Sequence, residues 1–157
     1  MTGTASHSRQ RIAPPAQTWA REFPARADQV GRARKFLALA LEGCPVADDA
    51  VLVLSELASN SVLHSGSRRP GGAFTVRAEV QYGDHVRVEV HDEGGPWAGR
   101  PSTGDGRPHG LAIVRSLAAD SGTDGNALTG WIAWARLDWP PAVSPAAGEA
   151  TPEMQTS

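Results

Sequence analysis

The most constraining feature of this sequence is the stretch Ser55–His64, which closes an apolar-periodic segment beginning near Ala47. The period predicts one long helix over these residues. Within it, Glu56, Asn60 and His64 are spaced i, i+4, i+8, which places them along a single helical face. The apolar residues between them point elsewhere, so we expect the other side of the helix to bury against a sheet.

The row of polar side chains suggests a chemical role. An amide oxygen such as that of Asn60 can bind Mg²⁺ without adding charge, because magnesium prefers hard oxygen ligands. Glu56, one turn away, can orient or deprotonate a nucleophile. The spacing alone equally fits a solvated polar face, so the choice depends on residues further along the chain.

Bulk properties narrow the class of protein. The chain has 157 residues, enough for one domain with a core, and a formal net charge of −2, which disfavours nucleic-acid binding. Cys44 is the single cysteine and fits a reducing compartment. The longest apolar run, Phe36–Leu41, is too short to span a bilayer, and no apolar leader is visible. These features predict a cytoplasmic protein that binds neither nucleic acid nor membrane.

The organisation along the chain predicts a single folded unit. We expect a disordered segment over 1–17, a folded domain over 18–139 and a disordered tail over 140–157. The elements expected inside the domain, in order, are a strand over 18–23, a helix from 27, a helix over 47–64, strands over 73–82 and 85–92, a helix from 109, a turn over 122–126 and a strand over 129–137.

A second candidate motif lies where the strand over 85–92 ends. Asp92 is followed by Gly94, and a carboxylate at a strand end can accept a hydrogen bond from the exocyclic amino group of adenine. Guanine presents a carbonyl at that edge, so a buried carboxylate would reject it. The glycine lets the backbone approach a flat base closely. Taken alone, the same residues also fit an ordinary turn.

A third motif follows a stretch dense in Gly, Pro and Ser. Residues 95–108 lack periodicity, which is typical of a mobile loop, and a helix begins at His109-Gly110-Leu111. Backbone N–H groups at a helix start, behind a flexible loop, form a cradle for phosphate groups that the loop can close as a lid.

Together, in this order, the three motifs resemble the GHKL (Bergerat-fold) ATPase superfamily, which includes gyrase, histidine kinases and anti-sigma-factor serine kinases. The likeness is greatest to the single-domain anti-sigma serine/threonine kinases of Gram-positive bacteria, because of the Glu-Leu-x-x-Asn-x-x-x-His run, the short lid and the lone domain. It covers Trp19 to Trp139.

The resemblance implies a two-layer α/β (α+β) sandwich, with a mixed, largely antiparallel sheet covered on one face by three helices, and it implies ATP and Mg²⁺ as cofactors. Its functional positions transfer to this sequence as Glu56 for catalysis, Asn60 for magnesium and nucleotide, Asp92 with Gly94 for the adenine, and His109, Gly110 and Leu111 for the phosphates.

Some positions depart from the superfamily pattern. Pro96 and Pro108 stand where glycines are usual, and Ser61 stands where alanine is common. Ile132 fills the position of a threonine that lies near the base, unless Thr129 substitutes for it. Because proline removes an N–H donor and stiffens the chain, we expect these changes to affect lid closure and rate more than nucleotide binding.

The function implied by the resemblance is that of an ATP-dependent protein serine/threonine kinase that regulates a sigma factor. Its expected partners are the sigma factor and an anti-anti-sigma antagonist protein, and a homodimer is compatible with the resemblance. The main alternative is a non-catalytic ATP-binding module that sequesters its partner.

Two further alternatives have less support from the sequence. A histidine-kinase fragment would be preceded by a dimerisation helix with an acceptor histidine, which is not seen. A metallohydrolase would use His64, His91 and His109, whose spacing is not that of metal ligands.

Overall fold

The computed structural model describes residues 14–64, 69–94 and 109–141, without the side chains of His64 and of residues 109–111. The elements in chain order are β1 (Gln17–Pro24), α1 (Ala27–Ala40), α2 (Ala47–His64), β2 (Ala73–Gln81), β3 (His85–Asp92), α3 (His109–Leu117), β4 (Asp120–Asn126) and β5 (Gly130–Asp138).

The five strands form one sheet in the order β1-β2-β3-β5-β4. All four neighbouring pairs are antiparallel, from β1 with β2 to β4 with β5. The predicted α/β sandwich is therefore confirmed, with an antiparallel sheet wherever strand pairing is described. β3 is the central strand, and β1 and β4 are the two edges.

Alternation along the strands decides which face of the sheet is covered. In β3, Val86, Val88 and Val90 are almost completely buried, and β2 alternates in the same way. Because successive strand residues point to opposite faces, the side chain of Asp92 projects from the same face as these valines. The last residue of the central strand therefore lies on the covered face.

The three helices pack on that face. α2 crosses the middle of the sheet, where it contacts β2, β3 and β5, and its Val53, Leu54 and Leu57 are buried as predicted. α1 lies over β1 and β2, on one side of α2. α3 packs against α2 and β4, on the other side. This arrangement leaves α2 flanked by a helix on each side.

One element differs from the prediction. The turn expected over 122–126 is wrong, because Asp120–Asn126 forms the edge strand β4 and pairs with β5. The glycines of this segment lack strand propensity, but a hairpin partner supplies the backbone hydrogen bonds that local propensity does not. Gly122 lies opposite Trp134, and a Cβ at Gly122 would come within 2.9 Å of the indole, so the ring covers the glycine.

The uncovered face of the sheet carries charged side chains. Glu89, at the centre of β3, accepts hydrogen bonds from Arg87 Nε at 2.7 Å and Arg77 Nη1 at 3.4 Å, and its Oε2 lies 2.8 Å from His91 Nε2. The Arg87 guanidinium in turn lies 4.1 Å from the centroid of the Trp134 ring. We call this open-face group the Glu89 network.

The predicted chain ends and lid fall mostly outside the described residues. The proposed disordered segments over 1–17 and 140–157 stay predictions; within them, the structure places Gln17 at the start of β1, and the carbonyl of Pro14 accepts a hydrogen bond from Gln81. The loop over 95–108 lies outside the described ranges. Across the helical residues that are described, no helix combines the length and apolarity needed to cross a membrane.

Candidate nucleotide-binding site

Asp92 lies at the end of the central strand, and its carboxylate is held on one oxygen. Oδ1 accepts a hydrogen bond from the Gly94 N–H at 2.8 Å and another from the Trp131 N–H at 3.3 Å. Within the described ranges, no residue donates to Oδ2. The orientation of the carboxylate is thus fixed by the backbone, while its second oxygen stays available to accept from a ligand.

The environment of this carboxylate shifts its pKa upward. The main cause is burial, and the neighbouring Glu93 charge acts in the same direction. The hydrogen bonds from the Gly94 and Trp131 amides oppose the shift without cancelling it. Because burial raises the free energy of the charged form, a donor supplied by a ligand would be bound strongly here.

Two glycines allow the backbone to come this close. Gly94 has φ of +86°, and a Cβ there would lie 2.6 Å from the carbonyl oxygen of Ala127. Gly130 has φ of +106°, and its missing side chain leaves room for the carbonyl oxygen of Asp92. Only glycine adopts such φ values without strain, so both positions bring the β4–β5 hairpin against the end of β3.

Glu56 and Asn60 lie on the flank of α2 that faces away from α1. Ser55, Ser59 and Val62 line a groove between α2 and α1. Since helix residues turn by about 100° each, the Glu56–Asn60 row is rotated from that groove toward the side where α3 packs. Both side chains are half-buried, and neither hydrogen-bonds to another described residue.

The remaining predicted site residues are seen in the backbone alone. α3 begins at His109, as predicted, so Gly110 and Leu111 form its first turn and contribute N–H groups without intrahelical partners. α2 ends at His64, and the side chain of that residue lies outside the description, as does the predicted lid. The described parts of the site therefore come from α2, the end of β3 and the start of α3.

Sequence reasoning missed the contribution of β5. Trp131, which donates to Asp92, was not a candidate, and Ile132 and Thr129 were considered for the position near the base. Ile132 pairs with His91, whose side chain belongs to the open face, so Ile132 projects away from Asp92. Thr129 is exposed in the β4–β5 turn. Local patterns could not reveal Trp131, because its contact joins residues 39 positions apart.

The structure does not bring the three histidines of the metallohydrolase alternative together. His91 lies on the open face beside Glu89, whereas α2, which carries His64, and α3, which begins at His109, pack on the other face. Within the described residues, no group of three or more His, Cys, Asp or Glu side chains is placed to hold a metal ion.

The residues present fit a magnesium–nucleotide complex. The free oxygen of Asp92 suits the amino group of adenine, and the absence of a side chain at Gly94 lets the β4–β5 hairpin pack beside it. The Asn60 amide offers a hard oxygen without a described partner, and the first turn of α3 offers N–H donors for phosphate. These groups would hold the base, the metal and the phosphates respectively.

Comparison with known protein families identifies the class of this chain. The model of the histidine kinase-like ATPase domain family matches residues 23–129, which is more than half of the chain. The chain therefore belongs to the histidine kinase-like ATPase family, within the GHKL superfamily. Its function is of the ATP-binding GHKL type, and domains of this kind bind ATP, usually with Mg²⁺. A search of the curated proteins found no match.

Proposed function

We propose that this protein is an ATP-dependent protein serine/threonine kinase of the anti-sigma-factor type. It would bind a sigma factor or that factor's antagonist protein and regulate it by phosphorylation. Membership of the family supports an ATP-binding function of the GHKL type. We propose in addition the serine or threonine acceptor of the phosphate, the partner protein, and membership of the anti-sigma-factor kinases.

One observation carries the proposal: the flank of α2 next to α3 presents a carboxylate and an amide, Glu56 and Asn60, one turn apart and without described partners. A domain that only sequestered a partner would need the amide to hold its nucleotide, but would have no use for the carboxylate. A kinase needs both, since the nucleophile must be oriented and must lose its proton.

Each residue then has a separate task. Asp92 would select adenine through its free oxygen, and the Asn60 amide oxygen would hold the metal. The N–H groups at the start of α3 orient the phosphates. Glu56 receives the proton of the acceptor hydroxyl. When bound, Mg²⁺ supplies neutralisation of the phosphate charge, which is the main requirement of phosphoryl transfer beyond correct positioning.

A second candidate is an ATP-binding module that sequesters its partner without phosphorylating it. The observation in its favour is in the sequence: Pro96 and Pro108 replace glycines at the two ends of the predicted lid. Proline has no N–H to donate to a phosphate and restricts the backbone, so lid closure would suffer. Binding of the base by Asp92 would not.

Glu56→Gln separates these two functions, because it keeps the shape of the side chain and removes its basicity. We expect unchanged ATP affinity and unchanged partner binding, with phosphorylation slowed by about 10²-fold or more. The measurement combines calorimetric ATP titration with transfer of labelled phosphate from ATP to an antagonist protein, for which the products of the neighbouring genes are the first to be assayed.

Ser59→Ala provides the control, because Ser59 lies on the other flank of α2, facing α1. It should leave both ATP binding and transfer unchanged. If the wild-type protein binds its partner and ATP but transfers no phosphate, and Glu56→Gln behaves identically, the protein is the sequestration module and the kinase proposal is wrong.

A further inference from the structure

A groove of about 650 Å³ opens between β1 and α1, on the covered face of the sheet beside the first edge strand. Its walls combine large apolar side chains with cations. The residues that define this basic groove are Trp19, Arg21, Arg32, Lys35, Phe36 and Leu39. None of them belongs to the nucleotide site, which is built on the far side of α2 from α1.

The helix and the strand supply the two walls in register. Arg32, Lys35, Phe36 and Leu39 follow the spacing i, i+3, i+4, i+7, which places all four on one face of α1. Across the groove, Trp19 and Arg21 alternate in β1, so both project toward the helix while Glu22 points to the open face. Three positively charged side chains therefore line the groove, and Glu22, the acidic residue of β1, lies outside it.

The apolar part of the groove is anchored in the core and also reaches solvent. Phe36 and Trp19 are partly buried and pack against the core, and the Phe36 ring meets Phe23 edge-on at 5.9 Å. Leu39 remains 75% exposed. Aromatic rings and arginines are enriched in protein-binding surfaces, and the exposed side chain of Leu39 extends the apolar area beside them.

The three cations are not neutralised inside the domain. In the part of the chain that the structure describes, Arg21, Arg32 and Lys35 form no ion pair, as is also true of Arg34 and Arg115, whereas Arg26, Arg77, Arg87 and Arg136 each form one or more. The Arg21 guanidinium instead lies 5.4 Å from the centroid of the Phe23 ring. The groove thus presents uncompensated positive charge next to apolar surface.

We propose that the basic groove binds an acidic, amphipathic segment of a partner protein. Its carboxylates would pair with Arg21, Arg32 and Lys35, and a large apolar side chain would pack on Trp19, Phe36 and Leu39. Nucleic acid is a poorer fit, because it needs an extended row of cations, and the chain as a whole carries a net charge of −2. The inference rests on the proposed function only for the existence of a protein partner.

The test uses the full chain and two labelled 12-residue peptides, with binding followed by fluorescence anisotropy. One peptide alternates Glu and Asp with Leu and Phe at helical spacing, and the other replaces every acid by Lys. We expect the acidic peptide to bind and the basic one not to bind. Raising the salt concentration should weaken binding, since exposed ion pairs are screened.

Variants locate the binding surface. Charge reversal by Arg32→Glu together with Lys35→Glu should lower the affinity of the acidic peptide by about tenfold or more, and Leu39→Ser by about threefold. Arg34→Glu is matched to Arg32→Glu alone, because each reverses one positive charge, and Arg34 lies on the opposite side of α1, where it lines the groove toward α2. It should change the affinity less than twofold. Arg32→Ala replaces the double variant if that variant fails to fold.

ATP titration of the same variants keeps this inference separate from the proposed function. Loss of peptide binding with ATP affinity intact supports the groove, whatever the outcome of the phosphorylation assay. No binding of the acidic peptide, or equal weakening by Arg34→Glu, overturns the proposal. So does displacement of the peptide by a 12-nucleotide single-stranded DNA. A gain in peptide affinity after Glu149→Gln with Glu153→Gln would assign the groove to the chain's own tail and also overturn it.

Discussion

Two carboxylates of the central strand have pKa values shifted in opposite directions: Glu89, which is buried, and Asp92, which is half-buried. Glu89 projects from the open face and meets Arg87, Arg77 and His91, and together these interactions outweigh burial and lower its pKa. Asp92 projects from the covered face and meets only neutral backbone amides, so burial prevails and raises its pKa. The two residues are three positions apart.

The difference separates a structural charge from a ligand-binding one. Both oxygens of Glu89 have partners within the domain, so its charge is already neutralised and has no capacity left for a ligand. Asp92 has a held oxygen and a free one, and its charge is only partly compensated. A carboxylate with one free oxygen and a partly compensated charge is stabilised strongly when a ligand supplies a hydrogen-bond donor. Variants of these two residues should therefore affect different measurements.

The largest effect should be on nucleotide affinity. Asp92→Ala removes the acceptor for the adenine amino group, which we expect to weaken ATP binding by about 2 kcal/mol or more, or roughly 30-fold. Glu89→Ala should leave ATP affinity within about twofold, because its network lies on the other face of the sheet. Calorimetric titration of both variants checks this, and equal affinity of wild type and Asp92→Ala would move the base-binding site elsewhere.

For the free energy of unfolding the order should be the opposite, with Glu89 contributing more than Asp92. Glu89→Ala leaves Arg87 and Arg77 without their shared acceptor and should lower the free energy of unfolding by about 1–3 kcal/mol. Glu79→Ala is the matched control, since Glu79 lies on the same face, is more exposed and, among the described residues, forms an ion pair with Arg77 alone. It should lower that free energy by less than about 1 kcal/mol. Urea denaturation measures both variants. Equal losses in the free energy of unfolding would show that the Glu89 network stabilises the fold no more than the exposed Glu79–Arg77 pair does.

The same two residues show what the sequence could and could not predict. Asp92 became a candidate only together with the other two motifs, because a carboxylate at a strand end followed by glycine also fits an ordinary turn; its role in binding adenine stays a prediction. In the sequence, Val86, Val88 and Val90 alternate with polar residues, and this period of two predicts that the valine face of β3 is buried, which the structure confirms. The helices α2 and α3 and the bounds of β3 were likewise predicted from the periodicity of the apolar residues.

The features that sequence reasoning missed depend on pairing between distant segments. The Glu89 network requires β2 beside β3, and the hydrogen bond from Trp131 to Asp92 requires β5 on the other side. β4 was read as a turn because Gly122 and Gly125 disfavour strands in isolation, whereas in the sheet the Trp134 ring covers Gly122. In each case tertiary contact overrides local preference.

The smallest predicted effect is on the pH dependence of stability, where the two carboxylates should differ in sign. The folded pKa of Glu89 lies below its usual value of 4.5, so its charge stabilises the fold above that pH, and the contribution is lost as the pH falls through the folded pKa. The folded pKa of Asp92 lies above its usual 3.8, so ionisation destabilises the fold as the pH rises beyond 3.8. Asp92→Asn keeps an oxygen that accepts from the Gly94 and Trp131 amides and removes the buried charge.

We therefore expect Asp92→Asn to be more stable than the wild type at pH 7, by a few tenths to about 1 kcal/mol, even though it binds ATP poorly. That advantage should shrink as the pH is lowered toward 3.8. Glu89→Gln should be less stable than the wild type at pH 7, and its deficit should shrink below pH 4.5. Thermal unfolding of the three proteins from pH 7 to pH 3.5, without nucleotide, measures both differences. If Asp92→Asn loses stability at pH 7 as Glu89→Gln does, then the charge of Asp92 supports the fold, and the distinction between a structural and a ligand-binding carboxylate on this strand fails.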